Sequence, residues 1–356
     1  MIRRILLFSG DFLPKLGGVS YMMHHLANAL VDSGAATLVA PPPRPGRVDS
    51  RVAYEVAEGP RAAWSGRSYS PFFQAGIARQ VTDLARGFGA EAILVGDQGY
   101  AAAYSDGVLQ AARAVGVPIG AYFHGADLLH HIAVRCPPQG AGRLAALLGF
   151  RGVYGRTDRL IRSAHPLFAN SSFTAQLARD AGAERIVVTG CGIDAADFER
   201  ELGLSPVFDA EAKRLWRARL GLPERYTVGF VGRLVESKNV QLLLRATAAL
   251  EGVQTLVLGD GPQRTALKAL ADELGIGARV NWLGSQEERR KWEFLRAMDA
   301  FCLPSRPTAA GAAEGFGIVL LEAAAAGTPA IGARSGGIPD VIEDQVTGLL
   351  CDPDDA

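Results

Sequence analysis

The stretch YTVGFVGRLVESKN, residues 226–239, is a short apolar run that ends in glycine and is followed by a polar turn. A continuous apolar run of this length is typical of a strand buried on both faces of a parallel sheet. The helical pattern that follows is what a crossover helix would give. The stretch therefore predicts a strand and a helix of an α/β domain.

The same pattern recurs along the chain. In the first half it occurs in RRILLFSG (3–10), EAILVGDQG (91–99), VPIGAYFHGAD (117–127), HPLFANSS (165–172) and ERIVVTGCG (184–192). In the second half it occurs again in QTLVLGDG (254–261), ARVNWLGS (278–285), DAFCLPS (299–305) and TPAIGARSGG (328–337). A polar, helix-prone segment separates the two series. We therefore predict two doubly wound α/β domains, at 1–198 and 226–356, with an interdomain segment at 199–225.

The composition bears on several classes of protein. The 37 Lys and Arg balance the 37 Asp and Glu of the 356 residues, which gives no bulk electrostatic reason to expect nucleic acid or an anionic membrane as partner. The four cysteines form no CxxC pair, which argues against a zinc site or a disulfide framework and suits a reducing cytosol. No signal peptide or stretch of ~20 apolar residues is evident. We expect a cytoplasmic protein, at most peripheral at a membrane.

Two carboxylates bracket an otherwise apolar stretch in EGFGIVLLEA, residues 314–323. A glycoside hydrolase uses such a pair as acid and nucleophile or base, with carboxyl groups roughly 5 to 9.5 Å apart. In a continuous helix the Glu314–Glu322 interval would give ~12 Å of axial rise. The glycines instead favour a loop through Phe316 and a helix that begins near Ile318, whose N-terminal amides can meet an anion.

Basic and glycine-containing loops follow other strands of the second series. Arg233 can fork onto phosphate oxygens and Lys238 can add a point charge; the alternative is an ordinary solvated loop. Gly259 allows a backbone to approach closely. Ligands of such sheets bind beyond the carboxyl ends of the strands, where these residues stand.

The first half offers two weaker candidates. Gly17 and Gly18 precede a helix whose N–H groups could approach a ligand, but the loop is not GxGxxG and structural glycines are common there. His124 and Asp127 follow a strand in FHGAD. His124 can be a polar contact or proton carrier, or a core histidine satisfied by the backbone.

Together these motifs resemble glycosyltransferase family 4, the retaining nucleotide-sugar-dependent transferases with the GT-B fold. The resemblance spans nearly the whole chain. It rests on FLPKLGGV, FHGAD, ANSSFTAQLARD, GCGID, GRLVESKN, LGDGP, EGFGIVLLEA and GTPAIGARSGGIPDVI. The combination of E-x7-E with the Arg and Lys of GR-xxxx-K is its most specific part.

The resemblance implies a role for each matching residue. Arg233 and Lys238 would bind the donor diphosphate, and Glu314 would face the transferred sugar. The amides of Phe316, Gly317 and Ile318 would meet the donor, and Glu322 would hold the ribose. The other implied contacts are Gly17 and Gly18 at the phosphate or acceptor, Gly259 beside the donor, the base near Leu283 and Gly284, His124 at the reacting centre, and Asp127 on the acceptor side.

The family also implies a deep interdomain cleft, retention at the anomeric carbon, a glycosyl acceptor, and neither a cofactor nor a metal. Two rivals are a GT-B nucleotide-sugar epimerase and a nucleotide-sugar-binding protein without transfer activity. Further helices follow in the family beyond the point where this chain ends, so we expect the second domain, 226–356, to be incomplete.

Overall fold

The computed structural model describes residues 2–9, 12, 18–40, 53–57, 71–96, 104–125, 128, 156–193, 208–309 and 312–355. The chain divides into two compact units, Met1–Gly192 and Ile193–Ala356. Each unit is built on its own parallel sheet.

The first unit contains a seven-stranded sheet of order β3-β2-β1-β4-β5-β6-β7. Its strands are β1 (Arg4–Phe8), β2 (Ala36–Ala40), β3 (Glu55–Val56), β4 (Ala92–Val95), β5 (Ile119–Phe123), β6 (Leu167–Ala169) and β7 (Val187–Val188). Its helices are Gly18–Asp32, Pro71–Phe88, Ser105–Val115, 156–163 and Ser172–Asp180. Every residue of β5 is buried, as expected of a central strand with helices on both faces.

The second unit contains a six-stranded sheet of order β10-β9-β8-β11-β12-β13. Its strands are β8 (Tyr226–Val231), β9 (Val253–Leu258), β10 (Val280–Gly284), β11 (Ala300–Leu303), β12 (Ala330–Ala333) and β13 (Gly348–Cys351). Its α-helices are Ala210–Arg219, Val240–Ala249, Arg264–Glu273, Glu288–Ala297 and Ile318–Ala325, and its 3-10 helices are Glu236–Lys238, Gly277–Arg279 and Ile338–Asp340.

The strand order of the second sheet determines where its loops meet. Strand β8 is paired with β9 on one side and with β11 on the other, both in parallel. The chain thus builds outward from β8 in one direction and returns to build in the other, which makes the β8/β11 edge a topological switch point. The loops that follow β8 and β11 therefore emerge side by side at the carboxyl end of the sheet. The prediction of two doubly wound sheets is confirmed.

Helix Ala210–Arg219, which falls within the predicted interdomain segment 199–225, is bound to the second unit. The ammonium of Lys213 donates to Met298 O at 2.7 Å and to Thr328 Oγ1 at 3.0 Å. Arg217 Nη1 lies 3.0 Å from Asp299 Oδ2. These bonds attach the helix to the residues that immediately precede β11 and β12. The predicted domain boundary at residue 198 falls outside the described residues.

Candidate active site

Glycines bring three strand-end loops of the second unit into backbone contact. Gly259 follows β9 with φ +130°, and a Cβ there would lie 1.9 Å from the carbonyl oxygen of Gly232, which follows β8. The amide of Gly259 donates to Gly284 O at 2.7 Å, at the end of β10. Gly261 is similarly close, because its Cβ would lie 2.5 Å from Leu234 O. A side chain at Gly259 would force these loops apart.

The loop after β8 carries the two predicted phosphate-binding cations. Arg233 is exposed directly after Gly232. Lys238 ends the 3-10 helix Glu236–Lys238, and Asn239 follows with φ 51° in the left-handed region. The side-chain amide of Asn239 donates to Pro353 O at 2.8 Å, which anchors the turn that presents Lys238.

Lys238 and Glu314 form an ion pair. The ammonium of Lys238 donates to Glu314 Oε2, and the two side chains are 22% and 14% exposed. Ser305 Oγ donates to the same carboxylate oxygen at 3.4 Å. The resemblance assigned the lysine to the diphosphate and the glutamate to the sugar. In the structure the two groups are in direct contact.

The segment between the two glutamates has the conformation predicted for it. Gly317 has φ +92°, and helix Ile318–Ala325 begins at the next residue. Phe316 is buried at 7% exposure. The first amides of a helix have no partner within the helix, so this N-terminus can donate hydrogen bonds to an anion. The carbonyl of Glu314 accepts a hydrogen bond from Gly337 N at 2.9 Å, which holds the loop before helix Ile318–Ala325 against the segment that follows β12.

Glu322 is buried inside that helix and is bound by a lysine that the sequence did not single out. Lys291 Nζ lies 2.9 Å from Glu322 Oε2 and 2.6 Å from Glu288 Oε1. Burial raises the pKa of Glu322, and the charge of Lys291 opposes that rise. Burial also acts to lower the pKa of Lys291, but Glu322 and Glu288 together raise it above its usual value. The lysine therefore keeps its proton.

The missed lysine had only an indirect signal in the sequence. A glutamate within the apolar run IVLLEAAA requires a partner when it is buried. Its partner, Lys291, lies 31 positions before Glu322, on helix Glu288–Ala297. Only the packing of the two helices identifies it.

The residues predicted to lie near the base stand at the end of β10. Leu283 is partly buried and packs against the core of the unit. Its carbonyl accepts a hydrogen bond from the side-chain amide of Gln286. Gly284 has φ +68° and bonds to Gly259, as described above. The structure therefore brings Gly284 to the glycine cluster of β8 and β9.

The first-unit candidates are described only in part. His124 is 8% exposed, and its Nε2 lies 2.6 Å from Gly96 O. Because a carbonyl only accepts, this nitrogen donates. The imidazole also stacks on Tyr122, with ring centroids 5.1 Å apart. A backbone contact of this kind fits a core histidine, and it equally fixes the ring orientation that a polar contact at a reacting centre would need, so both alternatives left by the sequence remain.

Gly18 is exposed and is the first residue of helix Gly18–Asp32. Gly17 and Asp127 lie outside the described residues. Among the residues that are described, no group of three or more His, Cys, Asp and Glu is placed to hold a metal ion. Nor is any described helix both long and apolar enough to cross a membrane.

Two family models match the chain. Residues 16–197, slightly more than half of it, match Glycosyltransferase Family 4, and residues 212–356 match Glycosyl transferases group 1. The chain belongs to glycosyltransferase family 4. In this family 4 chain, the match to Glycosyl transferases group 1 covers every residue of the candidate site from Arg233 to Glu322.

Curated relatives of this family 4 chain include the D-inositol 3-phosphate glycosyltransferases of Mycobacterium tuberculosis and Mycobacterium bovis. Each is 41% identical over 151 residues, which is 40% of this chain. The matched part spans 30% of the length of those relatives.

Solved structures resemble the family 4 chain over almost its full length. A sucrose-phosphate synthase from Thermosynechococcus elongatus has a TM-score of 0.74 at 20% identity, covering 99% of this chain and 86% of that one. The Anabaena protein HepE in complex with UDP-glucose has a TM-score of 0.70 at 21% identity, with the same coverage. At this identity the likeness establishes the fold, which is GT-B with two Rossmann-like domains.

Proposed function

We propose that this chain is a retaining glycosyltransferase that moves a hexose from a UDP- or GDP-sugar to a glycan, lipid-linked or small-molecule acceptor. The observation that carries the proposal is the Lys238–Glu314 ion pair beside the N-terminus of helix Ile318–Ala325. It places a cation, an acceptor-only group and a set of backbone donors on neighbouring loops. A nucleotide sugar offers a complementary anion and hydroxyl groups.

The diphosphate would bind Arg233 and Lys238. Arg233 is exposed and can fork onto two phosphate oxygens, while Lys238 supplies a second positive charge on a turn fixed by Asn239. The close backbone contact at Gly259 holds the loops after β8 and β9 against each other. When the bond to the sugar breaks, negative charge grows on the leaving diphosphate, and both cations stabilise it.

The two glutamates would hold opposite ends of the donor. A carboxylate beside a diphosphate repels it, but it accepts hydrogen bonds from hydroxyl groups well. Glu314, already neutralised by Lys238, would face the hydroxyls of the transferred sugar. Glu322 would accept from the ribose, and the amides of Phe316, Gly317 and Ile318 would lie against the donor between them.

The first domain would supply the acceptor side. Gly18 at the exposed start of a helix, together with Gly17 and Asp127, would approach the phosphate or the acceptor. His124 would stand at the reacting centre, with Nε2 donating to Gly96 so that the imidazole keeps one orientation.

The reaction would proceed without a covalent enzyme intermediate. The leaving phosphate would take the proton of the acceptor hydroxyl as that oxygen attacks from the same face, which gives retention. Binding in a water-excluding site would suppress hydrolysis of the donor. We propose neither a metal nor a cofactor for this chemistry, and a cytoplasmic protein that attaches to membranes at most peripherally.

The names of similar proteins support glycosyl transfer as the reaction class. The curated relatives are glycosyltransferases, although the matched part is 30% of their length. HepE was solved with UDP-glucose, which makes UDP-glucose a reasonable first donor to test here.

A thermal-shift screen against UDP, GDP and their common sugars identifies the donor. The donor that binds is then incubated with candidate acceptors, and proton NMR reports the anomeric configuration of the product. Transfer with retention supports the proposal. Epimerised free sugar formed without an acceptor would instead identify an epimerase, and tight binding without turnover a nucleotide-sugar-binding protein.

A further inference from the structure

Lys291 bridges two carboxylates in a buried part of the second unit. Its Nζ lies 2.9 Å from Glu322 and 2.6 Å from Glu288, and the Lys291 and Glu322 side chains are 12% and 7% exposed. Glu288 is fixed in turn by Trp292 Nε1, which donates to it at 3.0 Å. The ammonium is therefore held between a buried and a partly exposed carboxylate.

Lys291 contacts Glu322 through Oε2. An ionised carboxylate accepts through both oxygens, whereas a protonated one presents a donor on one of them. A ribose diol has two O–H donors to place, so it needs the ionised form.

The charge of Glu322 depends on few neighbours. Helix Ile318–Ala325 contains no other ionisable side chain, β12 contains none, and β11 contributes only the buried thiol of Cys302. The charged groups that act on Glu322 are Lys291 and Glu288. Without a cation, a carboxylate buried this deeply would take up a proton.

We infer that Lys291 is a positioning residue of the donor site, which fixes the Glu322 side chain and keeps it a carboxylate able to accept hydrogen bonds from the ribose. Lys291 itself touches no part of the donor. The inference rests on the proposed function, because it takes Glu322 as the ribose contact.

The test measures how strongly the protein prefers a ribose hydroxyl. The probes are UDP-glucose and GDP-mannose, each beside its 2′-deoxyribose form. Binding is measured by calorimetry from about pH 5.5 to about pH 8.5, a range in which the diphosphate of a nucleotide sugar has no proton to lose. In the wild type we expect the hydroxyl to improve affinity about tenfold, as for a bond to a charged group. That preference should fall as the pH drops through the pKa of Glu322.

Two substitutions should move this profile in opposite directions. Lys291→Met removes the positive charge, raises the pKa of Glu322 and shifts the preference to higher pH. Glu288→Gln removes a like charge, lowers the pKa of Glu322 and shifts the profile to lower pH. Lys291→Arg keeps the charge and should restore much of the preference. Arg290→Gln, on the exposed face of the same helix and paired with Glu293, should leave the profile unchanged.

Opposite shifts support the inference, and a purely structural role of Lys291 would not produce them. Identical profiles in the wild type, Lys291→Met and Glu288→Gln would overturn it and leave the proposed function intact. If Lys291→Met does not fold, an unshifted Glu288→Gln profile overturns the inference by itself. A wild type that binds neither probe, or ignores the ribose hydroxyl at every pH, would overturn the proposed function and the inference together.

Discussion

Lys238 Nζ and Ser305 Oγ donate to the same oxygen of Glu314, although the lysine and the glutamate are 76 positions apart in the chain. The lysine belongs to the loop after β8 and the glutamate to the segment after β11. These two loops are neighbours because β8 and β11 pair in the sheet. The contact therefore joins the basic motif and the E-x7-E motif into one site.

Replacing Lys238 with alanine should weaken nucleotide-sugar binding by about 1–3 kcal/mol, because a charge-assisted contact to the diphosphate is lost. Isothermal calorimetry measures the effect. Arg245→Ala is a matched control, since Arg245 is an exposed cation on helix Val240–Ala249. Equal donor affinity in Lys238→Ala and the wild type would remove Lys238 from the site.

Gly259→Ala should destabilise the second unit by about 3 kcal/mol or more. Its Cβ would lie 1.9 Å from Gly232 O, and its φ of +130° is unfavourable for any side chain. Gly252→Ala is the control, because φ is +71° there but no atom lies within 4 Å. It should cost about 1 kcal/mol. Urea unfolding measures both variants, and equal losses would refute the close contact.

The buried amine of Lys213 should make stability depend on pH in the alkaline range. Burial lowers its pKa to about 8; the charge of Asp299 opposes this, and the charges of Arg217 and Arg296 add to the lowering. Between that value and the unfolded pKa of about 10.4, the unfolded chain binds more protons, so this group's contribution to stability rises with pH. Below about pH 8 the contribution is constant.

Comparison of the wild type with Lys213→Met isolates the pH-dependent contribution of Lys213 to stability. As the pH is raised through this window, the urea midpoint of the wild type should increase relative to that of the variant. A difference that stays constant with pH would mean that Lys213 titrates as an ordinary surface lysine.

His124→Asn should lower kcat about a hundredfold while donor affinity stays the same, if the imidazole acts at the reacting centre. Asparagine retains a side-chain amide that can donate to Gly96 O. Steady-state kinetics and donor calorimetry separate the two effects. A variant with normal kcat and a lower melting temperature would identify His124 as a core histidine.

The fold was predictable because its central strands, such as β5 and β9, are buried on both faces. Strand β9, VQTLVL, has no exposed residue, and such an apolar run with glycine at its end has few alternative structures. The short strand β3, Glu55–Val56, is exposed and carries no such pattern. The helix Ala210–Arg219 lies in segment 199–225, which we predicted to be interdomain because it is polar and helix-prone and separates the two series of strands. Its attachment depends on buried bonds from Lys213 and Arg217.

The local conformation of the candidate site was predictable, but the contacts within it were not. Local rules are sufficient to start a helix at Ile318 after the left-handed Gly317. The partner of Glu322 is different, because it depends on which residue of helix Glu288–Ala297 faces it. Lysine occurs five times in the chain, and two of the five bind the two glutamates of the motif. The composition shows that lysine is rare, but it cannot say which lysine pairs with which glutamate.

The carbonyl of Gly232 occupies the space where a side chain of Gly259 would be. As a result, the loops after β8 and β9 cannot change shape independently. A protein engineer who wishes to alter donor preference through the loop that carries Arg233 must therefore redesign both loops as one unit, with the glycine retained.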